Sequence, residues 1–270
     1  MGGEFYEKIK VNGIIFLISL ISCLFIGGNT AFAKENPNTI EFLSYDEEIL
    51  ILRSTCETVV ISEGDNVEGI LEGINKENLK EIDLLVLRSM EKETDELLKK
   101  FINKSSVKKI LLPTLKGVSE DVINILKEKN IEIASMEEGF NYNKESISLN
   151  AKKLEGAKEG MIFATVDNIK LAVLSEEAYD SAINLSNIED CRVEILNLID
   201  SEKESKKEVK KLVKKLKPLV IIEDLENGES IEKLGVKHYN LNEEKGLKIM
   251  RVLGETKEFK VLSKKEGYTK

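Results

Sequence analysis

The sequence has no tryptophan, a single histidine and three cysteines in 270 residues, and aromatic residues make up only 6%. A core without large aromatics has to be filled by isoleucine, leucine and valine, which this chain has in quantity. One histidine, His238, cannot build an imidazole-rich zinc site. It leaves a Ser-His-Asp triad only one residue to draw on, and no Gly-x-Ser-x-Gly turn is present to offer a nucleophile. No Gly-x-x-x-x-Gly-Lys-Ser/Thr or Gly-x-Gly-x-x-Gly loop is present, which removes the common phosphate cradles. Cys23 lies in an apolar N-terminal run, so Cys56 and Cys191 are left for the rest of the chain. Two separated cysteines make no Cys-x-x-Cys zinc site. They allow one disulfide in an oxidising compartment, although each also reads as an unpaired residue beside a strand. A basic excess is missing too: 40 Lys and Arg against 49 Asp and Glu give a net charge of −9. Direct nucleic-acid binding over a broad face is therefore disfavoured. The lysine run Lys206, Lys207, Lys210, Lys211, Lys214, Lys215 and Lys217 stands beside Glu202, Glu204 and Glu208 and reads as a solvated helix face.

What is present begins with an export signal. Lys8 and Lys10 precede about 13 apolar residues over 14–26, and Ala31-Phe32-Ala33 follows. A basic start, an apolar run and an Ala-x-Ala end predict a secretory leader cleaved after Ala33. An uncleaved anchor is the main alternative, and lipid attachment at Cys23 a weaker one. Each places residues 34–270 outside the cytoplasm, secreted or on the outer face of the membrane. No second apolar stretch is long enough to span.

After a short leader over 34–38, apolar alternation predicts strands at Ile40–Leu43, Glu48–Leu52 and Thr58–Ile61, with Ser54-Thr55-Cys56-Glu57 as a turn. Helical spacing at Val67–Leu79 is followed by a buried-type strand at Ile82–Leu87. Helices at Asp95–Ile102 and Val118–Lys129 then alternate with strands at Val107–Leu112 and Ile131–Ala134. A second half repeats the order. A meander covers Ser146–Leu154, Met161–Val166 and Lys170–Leu174, turning at Asp167-Asn168. Helix Glu176–Leu185, strand Val193–Leu198, helix Glu204–Lys217 and strand Pro218–Ile222 come next. Short strands at Gly235–Tyr239, Leu247–Leu253 and Glu258–Leu262 finish the chain. Two such halves predict an α/β sandwich of two mixed sheets with outer helices, in a single domain over 39–270.

This order resembles the plan of the metallo-β-lactamase fold, an αββα sandwich. The segments Ile40–Leu52, Glu81–Leu87, Val107–Pro113 with Asn130–Ile133, and Lys233–Gly246 resemble the extracytoplasmic domain of ComEC-type competence proteins and their stand-alone relatives. The resemblance covers roughly 39–262. In active members the strand equivalent to the one ending at Leu87 leads into His-x-His-x-Asp-His, whose metal ions activate a water. Here Ser89 and Glu91 fall at the first two histidine positions, Glu93 at the aspartate and Thr94 at the last histidine. A later bridging aspartate corresponds to Glu176, and a later histidine-rich turn falls near Asp200. His238 lies in a late strand where the family usually has an apolar residue.

The resemblance thus implies a degenerate metal site, with no catalytic, cofactor-binding or metal-binding residue assigned and no cofactor expected. The leading expectation is a non-catalytic, extracytoplasmic binding or scaffold module, a pseudoenzyme, whose partner is an envelope protein or a cell-wall component. One alternative is an accessory factor in DNA uptake. Another is a hydrolase with a carboxylate-based site, for which Glu91, Glu93 and Glu176 are the candidates.

Overall fold

Alternation along each strand sorts its side chains between two apolar faces, and this decides how the layers stack. The computed structural model describes residues 38–265, apart from 45–47, 65, 90–93, 156, 158, 185–191, 200–205, 224–234 and 252–257. In the first half, β1 (Thr39–Ser44), β2 (Glu48–Arg53) and β3 (Thr58–Ser62) form an antiparallel meander. The turn between β2 and β3 closes with Ser54 N–H donating to the Glu57 carbonyl at 2.8 Å. Helix α1 (Val67–Lys76), β4 (Leu84–Leu87), α2 (Thr94–Lys104), β5 (Lys109–Leu112), α3 (Glu120–Glu128) and β6 (Glu132–Ser135) follow as alternating α/β units, and β3 to β6 pair in parallel. Asn66 caps α1 by accepting from Gly69 N–H at 3.0 Å, and Ser119 caps α3 by accepting from Val122 N–H at 3.4 Å.

The second half opens with β7 (Phe140–Asn143), β8 (Ile147–Lys153), β9 (Gly160–Val166) and β10 (Ile169–Ser175), all antiparallel. Asp167 and Asn168 take positive φ of 48° and 62° at the β9–β10 turn, the left-handed pair a two-residue hairpin needs. A 3₁₀ turn (Glu176–Ala178) leads into α4 (Tyr179–Asn184). Then β11 (Ile195–Ile199), α5 (Lys206–Leu216), β12 (Val220–Glu223) and β13 (Lys237–Asn240) continue the sheet in parallel. Helix α6 (Leu241–Glu244) turns the chain back, and β14 (Gly246–Arg251) and β15 (Phe259–Ser263) rejoin the first sheet beside β1.

Among the described residues the sheet orders are β15-β14-β1-β2-β3-β4-β5-β6 and β13-β12-β11-β10-β9-β8-β7. Ile40, Phe42, Leu50, Leu52, Leu84 and Val86 of the first sheet meet Leu149, Ile162, Leu171, Val173 and Ile195 of the second in one buried cluster. The opposite face of the first sheet packs on Ile70, Leu98, Phe101, Val122 and Leu126 from α1, α2 and α3. The opposite face of the second packs on Tyr179, Ala182, Val209, Leu212 and Val213 from α4 and α5. The layers run helix, sheet, sheet, helix, which is the expected αββα sandwich.

The sequence expectations miss two elements. Strand β7 carries Asn141 and Asn143 on its outward face and a single buried tyrosine, Tyr142, so its alternation is short. Helix α6 is one turn, capped by Asn240 accepting from Asn242 N–H at 3.0 Å. The helix expected over 176–185 begins instead as a 3₁₀ turn. Cys56 is an exposed free thiol. It sits in the β2–β3 turn. Cys191, the leader over 1–33 and its cleavage point at Ala33 lie outside the described residues.

Candidate functional site

Both sets of parallel strands bring their carboxyl ends to one edge of the sandwich. Strand β9 is antiparallel to β10, with Val173 opposite Ile162, so β9 begins at Gly160 where β10 ends at Ser175. Gly160 N–H donates to the Arg88 carbonyl at 3.2 Å, directly after β4 ends. The carboxyl ends of β4 and β10 are therefore together. A second link joins β2 and β11. Strand β2 begins beside the end of β3, where Ile49 faces Ser62. The Ser62 hydroxyl donates to the Glu48 carbonyl at 3.0 Å, and the Asn197 side-chain amide of β11 donates to Glu48 Oε1 at 3.1 Å. In open α/β sheets this end is where ligands bind.

Several buried polar residues gather on that edge. Arg88, Ser89, Glu159, Ser62, Ser175 and Asn197 are all buried. Arg88 Nη1 and Glu159 Oε2 form an ion pair at 2.8 Å that ties the end of the first sheet to the segment entering the second. Ser89 is held in place: its N–H and its hydroxyl both donate to the Glu63 carbonyl, at 2.8 and 3.2 Å. Ser175 Oγ and Asn197 Oδ1 are buried with no hydrogen-bond partner among the described residues. Both face the space between the sheets, because Val173 and Ile195, two residues before each, belong to the inter-sheet cluster.

Of the positions singled out from sequence, Ser89 and Glu176 reach this edge, one directly after β4 and the other directly after β10. Thr94 opens α2. Glu91, Glu93 and Asp200 lie outside the described residues, as does the Thr94 side chain. His238 is elsewhere. It pairs in register with Ile221, whose side chain packs in the cluster under α4 and α5. Its Nε2 stands 3.0 Å from Oε2 of the fully buried Glu223. Sequence reasoning missed Arg88, Glu159, Glu48, Asn197 and Ser175. Two of these left a signal: Glu48 shares a strand face with Leu50 and Leu52, and Asn197 interrupts an apolar run, so each charge or amide is directed inward by period two.

Zinc does not suit the described donors at this edge. They are hydroxyls, an amide and carboxylates, with no imidazole, and the Arg88 guanidinium adds a permanent positive charge. Among the described residues no three His, Cys, Asp or Glu side chains gather as a metal cluster.

No protein-family model and no curated protein matches the chain. Solved structures do. The metallo-β-lactamase fold protein YhfI from Bacillus subtilis superposes with a TM-score of 0.50 at 9% identity, over 75% of this chain and 97% of that one. The short form of human tRNase Z gives 0.47 at 11%, over 75% and 96%. A diphosphatase of the PhnP family gives 0.47 at 14%, over 76% and 85%. The chain has the metallo-β-lactamase αββα fold. At these identities the likeness establishes the fold.

The expectation of a non-catalytic binding or scaffold module without hydrolase activity is corrected by this comparison. The solved structures it resembles include human tRNase Z and a diphosphatase of the PhnP family. The physical flaw is plain. Missing histidines remove one kind of metal ligand, whereas hydrolysis needs a proton acceptor and a stabilised oxyanion, which carboxylates and a guanidinium also supply.

Proposed function

We propose that the chain is an extracytoplasmic hydrolase that works at the strand-end edge through carboxylates. Its scaffold is related to ComEC-type domains, with a metal motif degenerated to Ser89, Glu91, Glu93, Thr94, Glu176 and Asp200. In this reading residues 1–33 are an export leader or anchor and 39–270 a single domain. The observation that carries it is two buried oxygens on that edge with no hydrogen-bond partner among the described residues, Ser175 Oγ and Asn197 Oδ1, the second on the amide that binds Glu48. Leaving a buried polar atom unpaired costs about 1–3 kcal/mol, so two at one strand end mark a place where a ligand supplies the missing bonds.

Roles follow from the geometry. Glu48, oriented by the Asn197 amide, accepts a proton from an attacking water. The water oxygen adds to the acyl or phosphoryl centre of an ester, and the leaving oxygen takes a proton back. Arg88, held by Glu159, places positive charge near the edge for the developing oxyanion. Glu176 is a second carboxylate on the same edge.

The test is turnover of chromogenic carboxyl esters, phosphomonoesters and phosphodiesters by the full chain, with and without chelator. Turnover that survives chelation and falls about 100-fold or more in Glu48→Gln supports the proposal. Glu176→Ala and Glu91→Ala locate the second carboxylate. Activity unchanged in all three variants, or no turnover of any substrate, refutes it.

A further inference from the structure

At the other end of the second sheet, its outer face carries a groove of about 320 Å³ that no described helix covers. Pairing register lays out its floor. Asn143 faces Ser148, Ser148 faces Thr165, and Thr165 faces Lys170, so four polar side chains form one row across β7, β8, β9 and β10. A second row runs Asn141, Asn150, Phe163. Strand spacing makes each row step about 4.8 Å, and the longer row about 14 Å from end to end. Alternation sends Tyr142, Leu149, Ala164 and Leu171 to the inter-sheet core, so these two rows point outward. Asn150 Nδ2 donates to Asn141 Oδ1 at 2.6 Å, which fixes both amides and leaves each one further polar group directed outward.

Charge singles the groove out. The chain carries −9, yet the ionisable side chains lining the groove are Lys170 and Arg192, both exposed. Neither has an ion pair among the described residues. The Glu194 carboxylate accepts from the Lys170 backbone N–H at 2.7 Å. Two cations without an ion pair among the described residues, at one end of a ladder of amides and hydroxyls with one half-buried ring, match a ligand that is rich in hydroxyls and carries negative charge.

We propose that this groove binds an acidic polysaccharide: the Asn, Ser and Thr rows pair with sugar hydroxyls, Phe163 packs on a ring face, and Lys170 and Arg192 hold a carboxylate or other anionic substituent. A nucleic-acid strand fits less well, since it needs a track of cations along its backbone and several stacking rings. The surface lies at the amino ends of β10 and β11, away from the strand-end edge, so it does not depend on the hydrolase reading.

Calorimetric titration of the full chain with polygalacturonate, neutral dextran and an oligothymidylate tests it. Polygalacturonate is expected to bind, with dextran at least tenfold weaker. Lys170→Gln with Arg192→Gln should weaken polygalacturonate at least tenfold. Asn143→Ala should weaken it severalfold, with the circular dichroism spectrum unchanged in all variants. The proposal fails if polygalacturonate does not bind, if the double variant binds it equally well, or if oligothymidylate binds more tightly.

Discussion

Removing Arg88 breaks a buried ion pair from one side. Its guanidinium and the Glu159 carboxylate are 2.8 Å apart with side chains only 3% and 9% exposed. Cutting Arg88 to Ala leaves a carboxylate in a dry interior without its guanidinium partner. Breaking a buried pair from one side costs about 3–5 kcal/mol, because the remaining charge keeps its desolvation penalty. Glu159 has a further interaction, which places the expected loss at the lower end, about 3 kcal/mol. With a urea m-value of about 2 kcal/mol/M, the midpoint drops by about 1.5 M. Glu159→Gln, which retains an acceptor for Arg88, should cost less. The pair Arg88→Met with Glu159→Leu should recover most of the loss, since replacing both charges removes both penalties. Urea unfolding of the wild type, both single variants and the double variant closes the cycle. A loss below about 1 kcal/mol for Arg88→Ala, or a double variant no better than it, would refute the view that this pair is a desolvated link between the sheets.

Three further outcomes follow from the fold. Gly64 sits at φ +109°, and a β-carbon there would stand 3.1 Å from the Ser89 carbonyl; Gly64→Ala should cost about 1–3 kcal/mol by thermal unfolding and disturb the strand-end edge. Ser119→Ala removes the α3 cap and should cost about 1 kcal/mol, restored in part by Ser119→Asp. The Tyr142 hydroxyl donates to Glu57 Oε1 at 3.1 Å, and burial first, then the neighbouring Glu57 charge, raise its pKa well above 10. The folded state thus keeps a proton that the unfolded chain releases near pH 10. Its contribution is full below that pH and is lost as pH rises toward the folded value. Unfolding curves at pH 9 and 11 should show a larger drop for wild type than for Tyr142→Phe, and equal drops would contradict the assignment.

Period-two and period-3.6 patterns made most of the sandwich legible in advance. Ile40–Leu43, Ile82–Leu87 and Lys170–Leu174 read as strands because their alternation or length allowed little else, and Asp167-Asn168 read as a turn because both residues tolerate positive φ. Strand β7 was not legible: it sits on the sheet border with one face in solvent, and Asn141 and Asn143 hide its alternation. The helix expected over 176–185 was right in kind and wrong at its start, where the chain leaves β10 in a tighter 3₁₀ turn.

The strand-end edge divides differently. Sequence alone showed that one histidine cannot build an imidazole-rich zinc site. It also placed Ser89 and Glu176 directly after two strands. Sequence spacing could not tell that Arg88 meets Glu159, 71 residues later, or that Asn197 reaches Glu48 across 149 residues. Those contacts exist only because two sheets stack with their parallel strands ending at the same edge. The outward polar rows from Asn143 to Lys170 likewise become one surface only when four strands pair in a single register. Local pattern fixes which residues alternate and where the chain turns; packing decides which distant charges lose their water together, and so which must find one another.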